Sequence, residues 1–468
     1  MLRAIRDAAT SVAALALFFF VFLTGEFCFD TVMGGLVGSE SVVLAQGLVL
    51  GASVVGFVAY APLERVLHER RSLSQAVGAA VLAVSFVVVF LLGDASAVQA
   101  VGCVAFVVLG IAGAAAHRVA SVSFAGPYLS RLVAVSYAAG LLLQFLVNNL
   151  LGSMPLELCL LAVAGVGLIL CLGRAGGEVH LPAADDVEAK AAPDLDGGAA
   201  RGLRRELVGM VVAIVLMTCL FGTLDNIVTM ANARGDVQLA SWPRLLLAAS
   251  ALLAGCTFDL KDRRPMPIVM FCMAMLSTIA VLVLEEGGSA WLCAVIFFLS
   301  SGFYAVYLTS SFLILAPLTK RPSLWAGMGR ALNNAVALAI AIPSLALVQS
   351  GDIILIFIVD LVLFVGIALS LFLVMSEAST WLTPVSDGPT PTPALSLDER
   401  MGLFQETYHL TPREREVLEP VVTTEAPLKQ VAIDLGISLR MVQRHLSSVY
   451  EKTGTQTRAG LSKRFWED

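Results

Sequence analysis

Six basic side chains, Arg440, Arg444, Lys452, Arg458, Lys463 and Arg464, fall between residues 438 and 464, with a single acid, Glu451, among them. Guanidinium and ammonium groups at this density are suited to neutralising the phosphates of a nucleic acid. The amide of Gln443 and the guanidinium of Arg444 add donor patterns that pair with adenine and guanine edges in a major groove. Elsewhere reactive groups are sparse. Eight cysteines (Cys28, Cys103, Cys159, Cys171, Cys219, Cys256, Cys272 and Cys293) all lie in apolar stretches without C-x-x-C spacing, so neither a disulfide framework nor a zinc site is indicated. The five histidines are scattered and suggest no metal constellation. No Walker loop, H-E-x-x-H or G-x-S-x-G occurs, so no catalytic residues are assigned, no enzymatic activity is expected and no cofactor is implied.

The elements that must position the basic groups are legible. In Thr411-Pro-Arg-Glu414 a threonine can cap a helix, proline suits the first helical position and Glu414 completes a capping box, which predicts a helix to about Val422. A second helix is expected near Pro427–Leu435, stopped at Gly436. Ser438 then caps a third, running to about Thr453. Val431, Ala432, Leu435, Ile437, Val442, Leu446 and Val449 form the apolar face of the second and third helices together, leaving Arg440, Gln443, Arg444, Ser447 and Lys452 outward. This is a helix-turn-helix. Residues 396–468 as a whole carry ten basic against eleven acidic groups, so the positive charge is concentrated in the third helix and beyond it.

The strings Leu410-TPREREV-Leu418, Val431-AID-Leu435-GIS and Val442-QRH-Leu446-SSV-Tyr450-E-Lys452 resemble the LuxR/FixJ-type DNA-binding domain. The resemblance implies a four-helix fold over residues 408–468, double-stranded DNA as partner, and a third helix lying in the major groove. It puts Gln443, Arg444 and Ser447 toward bases, and Arg440, His445, Lys452 and Arg458 near phosphates. Gln443 departs from the family's usual lysine, Pro427 from a capping serine and Met441 from a threonine. A last helix near Thr457–Trp466 resembles the one through which family members pair. Leu461, Phe465 and Trp466 could supply a homodimer contact or merely cover the core.

The rest of the chain is of another kind. With 58% hydrophobic residues, 14% charged and a mean hydropathy of +0.85, most of it must sit in lipid. Arg3 and Arg6 before an apolar run suggest a signal peptide, but no small-residue cleavage pattern follows and similar runs recur, so the run is expected to be a membrane helix. At about 20 apolar residues per span, twelve spans begin near residues 10, 41, 73, 96, 131, 155, 206, 240, 266, 290, 324 and 353. A polar linker, 173–205, separates six-helix halves at 1–172 and 206–375. A Pro-rich tether, 376–407, leads to the C-terminal domain; its flexible span is on the order of 30 Å. Lysines and arginines number eighteen in one set of alternate connections and two in the other, which puts both termini in the cytoplasm of a multi-pass cell-membrane protein.

After the eighth span, Gly255-Cys-Thr-Phe-Asp259-Leu-Lys261-Asp-Arg263-Arg264 resembles the signature loop of major facilitator transporters. Glu64-Arg65 and Arg70-Arg71 stand in the matching place of the first half, where Tyr60 replaces the glycine. The expected fold is therefore all-α, a 6+6 major-facilitator-like bundle plus the helix-turn-helix domain. The alternative is an unrelated twelve-helix bundle with ordinary positive-inside anchors. Polar groups at membrane depth are candidate contacts for an unidentified small molecule held between the halves: Arg131, Gln144, Asn148, Asp225, Arg330, Asn333, Asn334 and Asp360. Glu26 and Asp30 are placed at the end of the first span, and Asp360 is the only deep carboxylate expected. The function this suggests is a membrane-bound one-component transcription regulator that senses a small molecule or membrane cue. Its rival is a transporter with a fused regulatory domain.

Overall fold

The structure, a computed structural model, describes residues 2–124, 126–151, 153–178, 197–234, 242–263, 265–285, 290–350, 352–376, 397–424, 426–455 and 457–467. It divides into two units, Met1–Ser386 and Asp387–Asp468.

In the first unit the described residues form twelve helices of 17 residues or more. They are α1 Leu2–Val37, α2 Ser39–Glu69, α3 Arg71–Leu91, α4 Ala95–Ser123, α5 Leu129–Leu150 and α6 Met154–Glu178, followed by α7 Gly197–Arg234, α8 Trp242–Phe258, α9 Met266–Glu285, α10 Ala290–Leu315, α11 Met328–Ser350 and α12 Ile353–Ser376. Ten have the length and apolarity to cross a membrane; Trp242–Phe258 and Met266–Ile279 are apolar but shorter. Helix is the expected answer to such sequences, because lipid offers no partner for unpaired amides and carbonyls. The chain is a multi-pass membrane protein.

The helices differ in what surrounds them. α10 is 89% buried over its most apolar window, whereas α3 and α12 are only 22% and 28% buried and turn Val77, Val84, Ile358, Val362 and Leu369 outward. An apolar surface of this extent, on helices long enough to span a bilayer, suits contact with lipid tails. The halves meet along two matching seams, α5 against α8 and α2 against α11. Since α8 and α11 are the second and fifth helices of their half, each seam joins a second helix to a fifth, as a 6+6 repeat requires.

Three helix ends differ from the sequence-based expectation. α1 runs to Val37, and of the segment assigned to the linker, residues 173–178 are the end of α6 and 197–205 the start of α7. A helix can be longer than the bilayer core when it tilts or projects from it, and the apolar count alone does not fix its ends. The rest of the linker, 179–196, lies outside the described residues.

In the second unit the described residues form five helices: α13 Leu397–Thr407, α14 Pro412–Thr423, α15 Leu428–Asp434, α16 Leu439–Thr453 and α17 Arg458–Glu467. Four were expected. The fifth, α13, falls in the segment assigned to the tether, of which 377–396 lie outside the described residues. Its order has an apolar cause: Met401 and Phe404 are buried in one core with Leu418, Leu446, Leu461 and Phe465. Arg400 also donates to the carbonyls of Phe465 and Trp466 at 3.2 and 3.3 Å. A smaller core of Val417, Val431, Ala432 and Val442 holds α15 against α16.

Local chemistry sets the ends of α14 and α16. Thr411 Oγ1 accepts from Glu414 N at 3.3 Å while Glu414 Oε2 accepts from Thr411 N at 2.7 Å, so both halves of the capping box are present. Gly436 takes φ +65° in the turn, Ser438 Oγ accepts from Met441 N at 3.3 Å to cap α16, and Gly454 at φ +67° ends it. Both glycines adopt the left-handed conformation that side-chain-bearing residues avoid.

Candidate functional site

The membrane unit encloses a cavity of about 190 Å³ lined from both halves. From the first half come Glu26 and Asp30 on α1, Gln46 on α2 and Tyr137 on α5. The second half adds Asp225 on α7, Arg244 on α8, Tyr304 on α10, and Arg330, Asn333 and Asn334 on α11. Phe22, Phe27, Phe221 and Phe298 supply apolar wall. Polar contacts fix several of these groups. Gln46 Nε2 donates to Glu26 Oε1 at 2.9 Å, and Asn334 Nδ2 donates to Ser53 Oγ at 2.8 Å. Arg330 lies over the rings of Phe19 and Phe22 at 5.7 and 6.0 Å, and Arg244 over Phe27 at 5.9 Å. Each ring offers its negative face to the cation.

Of the eight residues the sequence nominates for a ligand, the cavity gathers four: Asp225, Arg330, Asn333 and Asn334. The others lie outside its lining. Gln144 is buried and donates to the Leu23 carbonyl at 3.0 Å, so it joins α5 to α1. Asn148 lies one turn further along α5. Asp360 is buried within α12. Arg131 sits at the start of α5 beside Asp259, at 3.9 Å. Glu26, Asp30 and Arg244 lie outside those eight; a shorter first helix puts both acids at its end, and Arg244 stands in the first turn of α8. The available signal was spacing: Phe22, Glu26 and Asp30 recur every four residues and so share one helix face. The cavity wall holds three carboxylates, Glu26, Asp30 and Asp225, and Asp360 is not among them.

At the opposite end of the same helices the two seams are latched. Asp259, at the end of α8, is 1% exposed and accepts from the backbone amides of Ser130 and Arg131 at 3.1 and 2.8 Å. These are orphan donors at the start of α5, where a carboxylate also meets the positive end of the helix dipole. Gly255, one turn earlier, makes this approach possible: a Cβ there would collide with Ala134 and the Ser130 carbonyl. In the other seam Glu64, at the end of α2, accepts from Ser323 in the turn before α11 and lies 3.8 Å from Arg118. The first-half loop lacks the glycine, yet its carboxylate does the corresponding job. Cavity residues come from the later parts of α1 and α7, the first parts of α2, α8 and α11 and the middle of α10.

In the second unit the polar groups of α16 divide sharply. Arg440, Gln443, Arg444 and Ser447 follow the i, i+3, i+4, i+7 pattern, are all exposed, and make no hydrogen bond or ion pair among the described residues. Val442, Leu446, Val449 and Thr453 form the buried opposite stripe. His445 is half-buried beside the exposed stripe. Two residues expected near phosphates are occupied within the domain. Lys452 Nζ donates to Glu414 Oε2 at 2.7 Å and to the His409 carbonyl at 3.1 Å. Arg458 donates to the carbonyls of Val421 and Ala426 at 3.0 and 2.6 Å and to that of Thr424. Arg458 therefore clamps the α14–α15 turn by taking up carbonyls at the end of α14. Lys452 and Ser448 bolt α16 to α14 through Glu414. Burial opposes ionisation of Glu414, but the hydrogen bonds from Lys452, Ser448 and Thr411 outweigh it and bring its pKa down to about 2.

The profile described as bacterial regulatory proteins, luxR family (GerE) matches residues 408–463, which span α14 to α17. The C-terminal domain is of the LuxR type. Curated protein sequences give no match to this chain. Among solved structures, the human organic anion transporter MFSD10 (TETRAN) is similar with a TM-score of 0.53 and 13% identity, covering 80% of this chain and 99% of that one. The proton:xylose symporter XylE bound to 6-bromo-6-deoxy-D-glucose is similar with a TM-score of 0.52 and 12% identity, over 79% and 96%. At such identities the likeness is one of fold, and the membrane unit has the major facilitator fold. A LuxR-type DNA-binding domain thus follows a facilitator-like membrane domain in one chain. The α13 helix, which precedes the matched segment, is an addition to the LuxR-type domain that shares its core.

Proposed function

We propose that the protein is a membrane-bound, non-enzymatic transcription regulator, in which a small molecule bound in the facilitator-like unit controls promoter binding by the LuxR-type domain. Both termini lie in the cytoplasm of a cell-membrane protein. The observation that carries this reading is the pairing in one chain of an unengaged recognition stripe, Arg440, Gln443, Arg444 and Ser447, with a polar cavity built from both halves of the membrane unit. No receiver domain is recognisable in the sequence, so the input enters through the membrane unit. A ligand shifts the two halves only by binding one arrangement better, and tenfold in population needs about 1.4 kcal/mol of that difference.

The test is genome-wide footprinting of the full chain in its host, with Arg444→Ala and Gln443→Ala as comparators. Each base-reading residue removed should cost about 1–3 kcal/mol, or roughly 5- to 150-fold in affinity, at the preferred sites. Arg440→Ala should weaken all sites alike and reduce the salt dependence by about one charge. Unchanged footprints in all three variants would refute the DNA-reading role.

A second reading is favoured by Glu26, Asp30 and Asp225 in the cavity wall: a transporter whose LuxR-type domain reports on its substrate. Carboxylates at membrane depth are costly and serve proton or cation coupling in many carriers. Substrate uptake into vesicles by a chain ending at Ser376 supports the transporter; binding without flux supports the regulator.

A further inference from the structure

Three arginines without an acid partner meet where α3 begins and α6 ends. Arg70 fills the turn between α2 and α3, Arg71 is the first residue of α3, and Arg174 lies near the end of α6. Arg71 Nη2 donates to the carbonyl of Gly173, the residue before Arg174, so its guanidinium lies beside the Arg174 backbone. All three arginines are exposed, and none makes an ion pair among the described residues. The nearby Glu69 is taken by Arg65 at 3.2 Å. Like charges gathered in this way repel one another, and an anion among them turns repulsion into attraction.

Apolar surface runs up to the same place. α3 and α6 lie antiparallel and close: a Cβ at Gly173 would run into Gln75, while one at Gly78 would touch Ile169 and one at Gly165 would touch Leu82. Away from that contact both helices turn an apolar stripe outward. Leu73, Val77, Val84 and Leu91 recur along α3 at helical spacing, as do Leu156, Val163 and Leu170 along α6, and all are exposed. Arg174, one turn beyond Leu170, continues the α6 stripe. With the helices crossing the bilayer in turn, the start of α3, the end of α6 and the end of α12 share one side of the membrane.

We propose that this corner is a binding site for an anionic phospholipid, on the side of the membrane from which the DNA-binding domain is tethered. The phosphodiester accepts from the guanidinium forks of Arg70, Arg71 and Arg174, and the acyl chains lie along the two stripes. A zwitterionic lipid brings its own cation to the same place and gains less. Because the headgroup touches the ends of both helices, its binding ties α3, among the least buried of the apolar helices, to α6. The site is independent of what the central cavity holds.

The test titrates the full chain in detergent with palmitoyl-oleoyl phosphatidylglycerol, with the phosphatidylcholine of the same chains, and with glycerol phosphate, and follows thermal unfolding. Phosphatidylglycerol should raise the unfolding temperature at concentrations at least about tenfold below those needed of phosphatidylcholine, and glycerol phosphate, which has no chains, should not raise it. Arg70→Gln and Arg174→Gln should each shift the phosphatidylglycerol midpoint roughly fivefold, the effect of one basic group at a charged lipid surface. Both side chains are exposed, so the unfolding temperatures without lipid should stay close to the parent's. Lys320→Gln removes the same charge from an exposed position in the turn before α11, on the same side, and should leave the midpoint alone. An equal shift in Lys320→Gln overturns the site in favour of diffuse charge attraction, and equal stabilisation by glycerol phosphate overturns the lipid as its occupant. Equal stabilisation by phosphatidylcholine, or none by phosphatidylglycerol, overturns the proposal outright.

Discussion

The LuxR-type domain and the facilitator-like unit are both helical, yet they treat their polar groups in opposite ways. In the domain, each buried or half-buried charge that matters to the fold has a partner close at hand: Glu414 with Lys452, Arg458 with three carbonyls. Arg440 and Arg444, on the exposed stripe of α16, have no such partner. In the membrane unit charged groups also stand inside, gathered from α1, α7, α8 and α11. One unit settles its electrostatics internally and offers a surface outward. The other keeps an unsettled interior, which is what a ligand can act on.

The contrast can be broken most directly at Glu414. Glu414→Ala strands Lys452 Nζ, Ser448 Oγ and the Thr411 amide together, and charged hydrogen bonds of this kind are worth about 1.5–3 kcal/mol. The C-terminal unit should lose about 2–3 kcal/mol and, at about 4–8 °C per kcal/mol for a domain of this size, unfold at least about 8 °C lower. Thermal unfolding of residues 387–468 followed by circular dichroism measures it, and Lys452→Met combined with Glu414→Gln isolates the pair. The same group sets a pH dependence. Its pKa is depressed in the folded domain, so its contribution is fully present above the ordinary carboxylate range and is lost as pH falls toward about 2. A titration in which stability from this group rises on acidification would reverse the assignment.

In the membrane unit the corresponding breakage is steric. Gly255→Val drives a side chain into Ala134 and the Ser130 carbonyl, separating α8 from α5 and pulling Asp259 off the amides it caps. Overpacking of this kind costs about 1–3 kcal/mol. Gly167→Val on α6 is the control, because nothing lies within 4 Å of a Cβ there. Unfolding temperatures of the full chain in detergent should fall for the first and hold for the second. Equal losses would mean that glycine is needed for helix flexibility in general and not for this one approach.

How much of each region was legible follows from the range of the forces that shape it. Thr411, Glu414, Gly436 and Ser438 act within four residues of themselves, so the ends of α14 and α16 can be read from the string, as can the alternation of buried Val442, Leu446 and Val449 with exposed Arg440 and Arg444. The latch at Gly255 and Asp259 was visible as a pattern, but its partners, the amides of α5, lie 128 and 129 residues away and come only from the fold. Depth was the hardest to read. Counting apolar residues ends the first span near Phe29, whereas α1 continues to Val37 and carries Glu26 and Asp30 along the cavity wall. α13 escaped for a related reason: its few apolar side chains follow a proline-rich stretch, and only packing on Phe465 and Leu461 explains their order. Lys452 and Arg458 mislead in the other direction, because charge alone does not say whether a cation faces solvent, DNA or a carbonyl.

The smallest effects sharpen the comparison most, because they separate stability from reading. Removing the cap at Thr411 or at Ser438 costs each helix one hydrogen bond to an amide of its first turn, so Thr411→Ala and Ser438→Ala should each lower stability by about 1 kcal/mol. Their consequences for DNA differ. Thr411 caps α14, a helix that presents none of the exposed stripe, and at temperatures well below unfolding its loss should leave affinity within twofold of the parent's. Ser438 holds the first turn of α16, one residue before Leu439 and two before Arg440, so fraying there moves Arg440 off its line with Gln443, Arg444 and Ser447. Fluorescence anisotropy with a promoter fragment identified by footprinting should show Ser438→Ala losing several-fold in affinity at equal stability loss. If the two variants bind alike, the first turn of α16 is not part of the contact, and the reading surface must begin at Gln443.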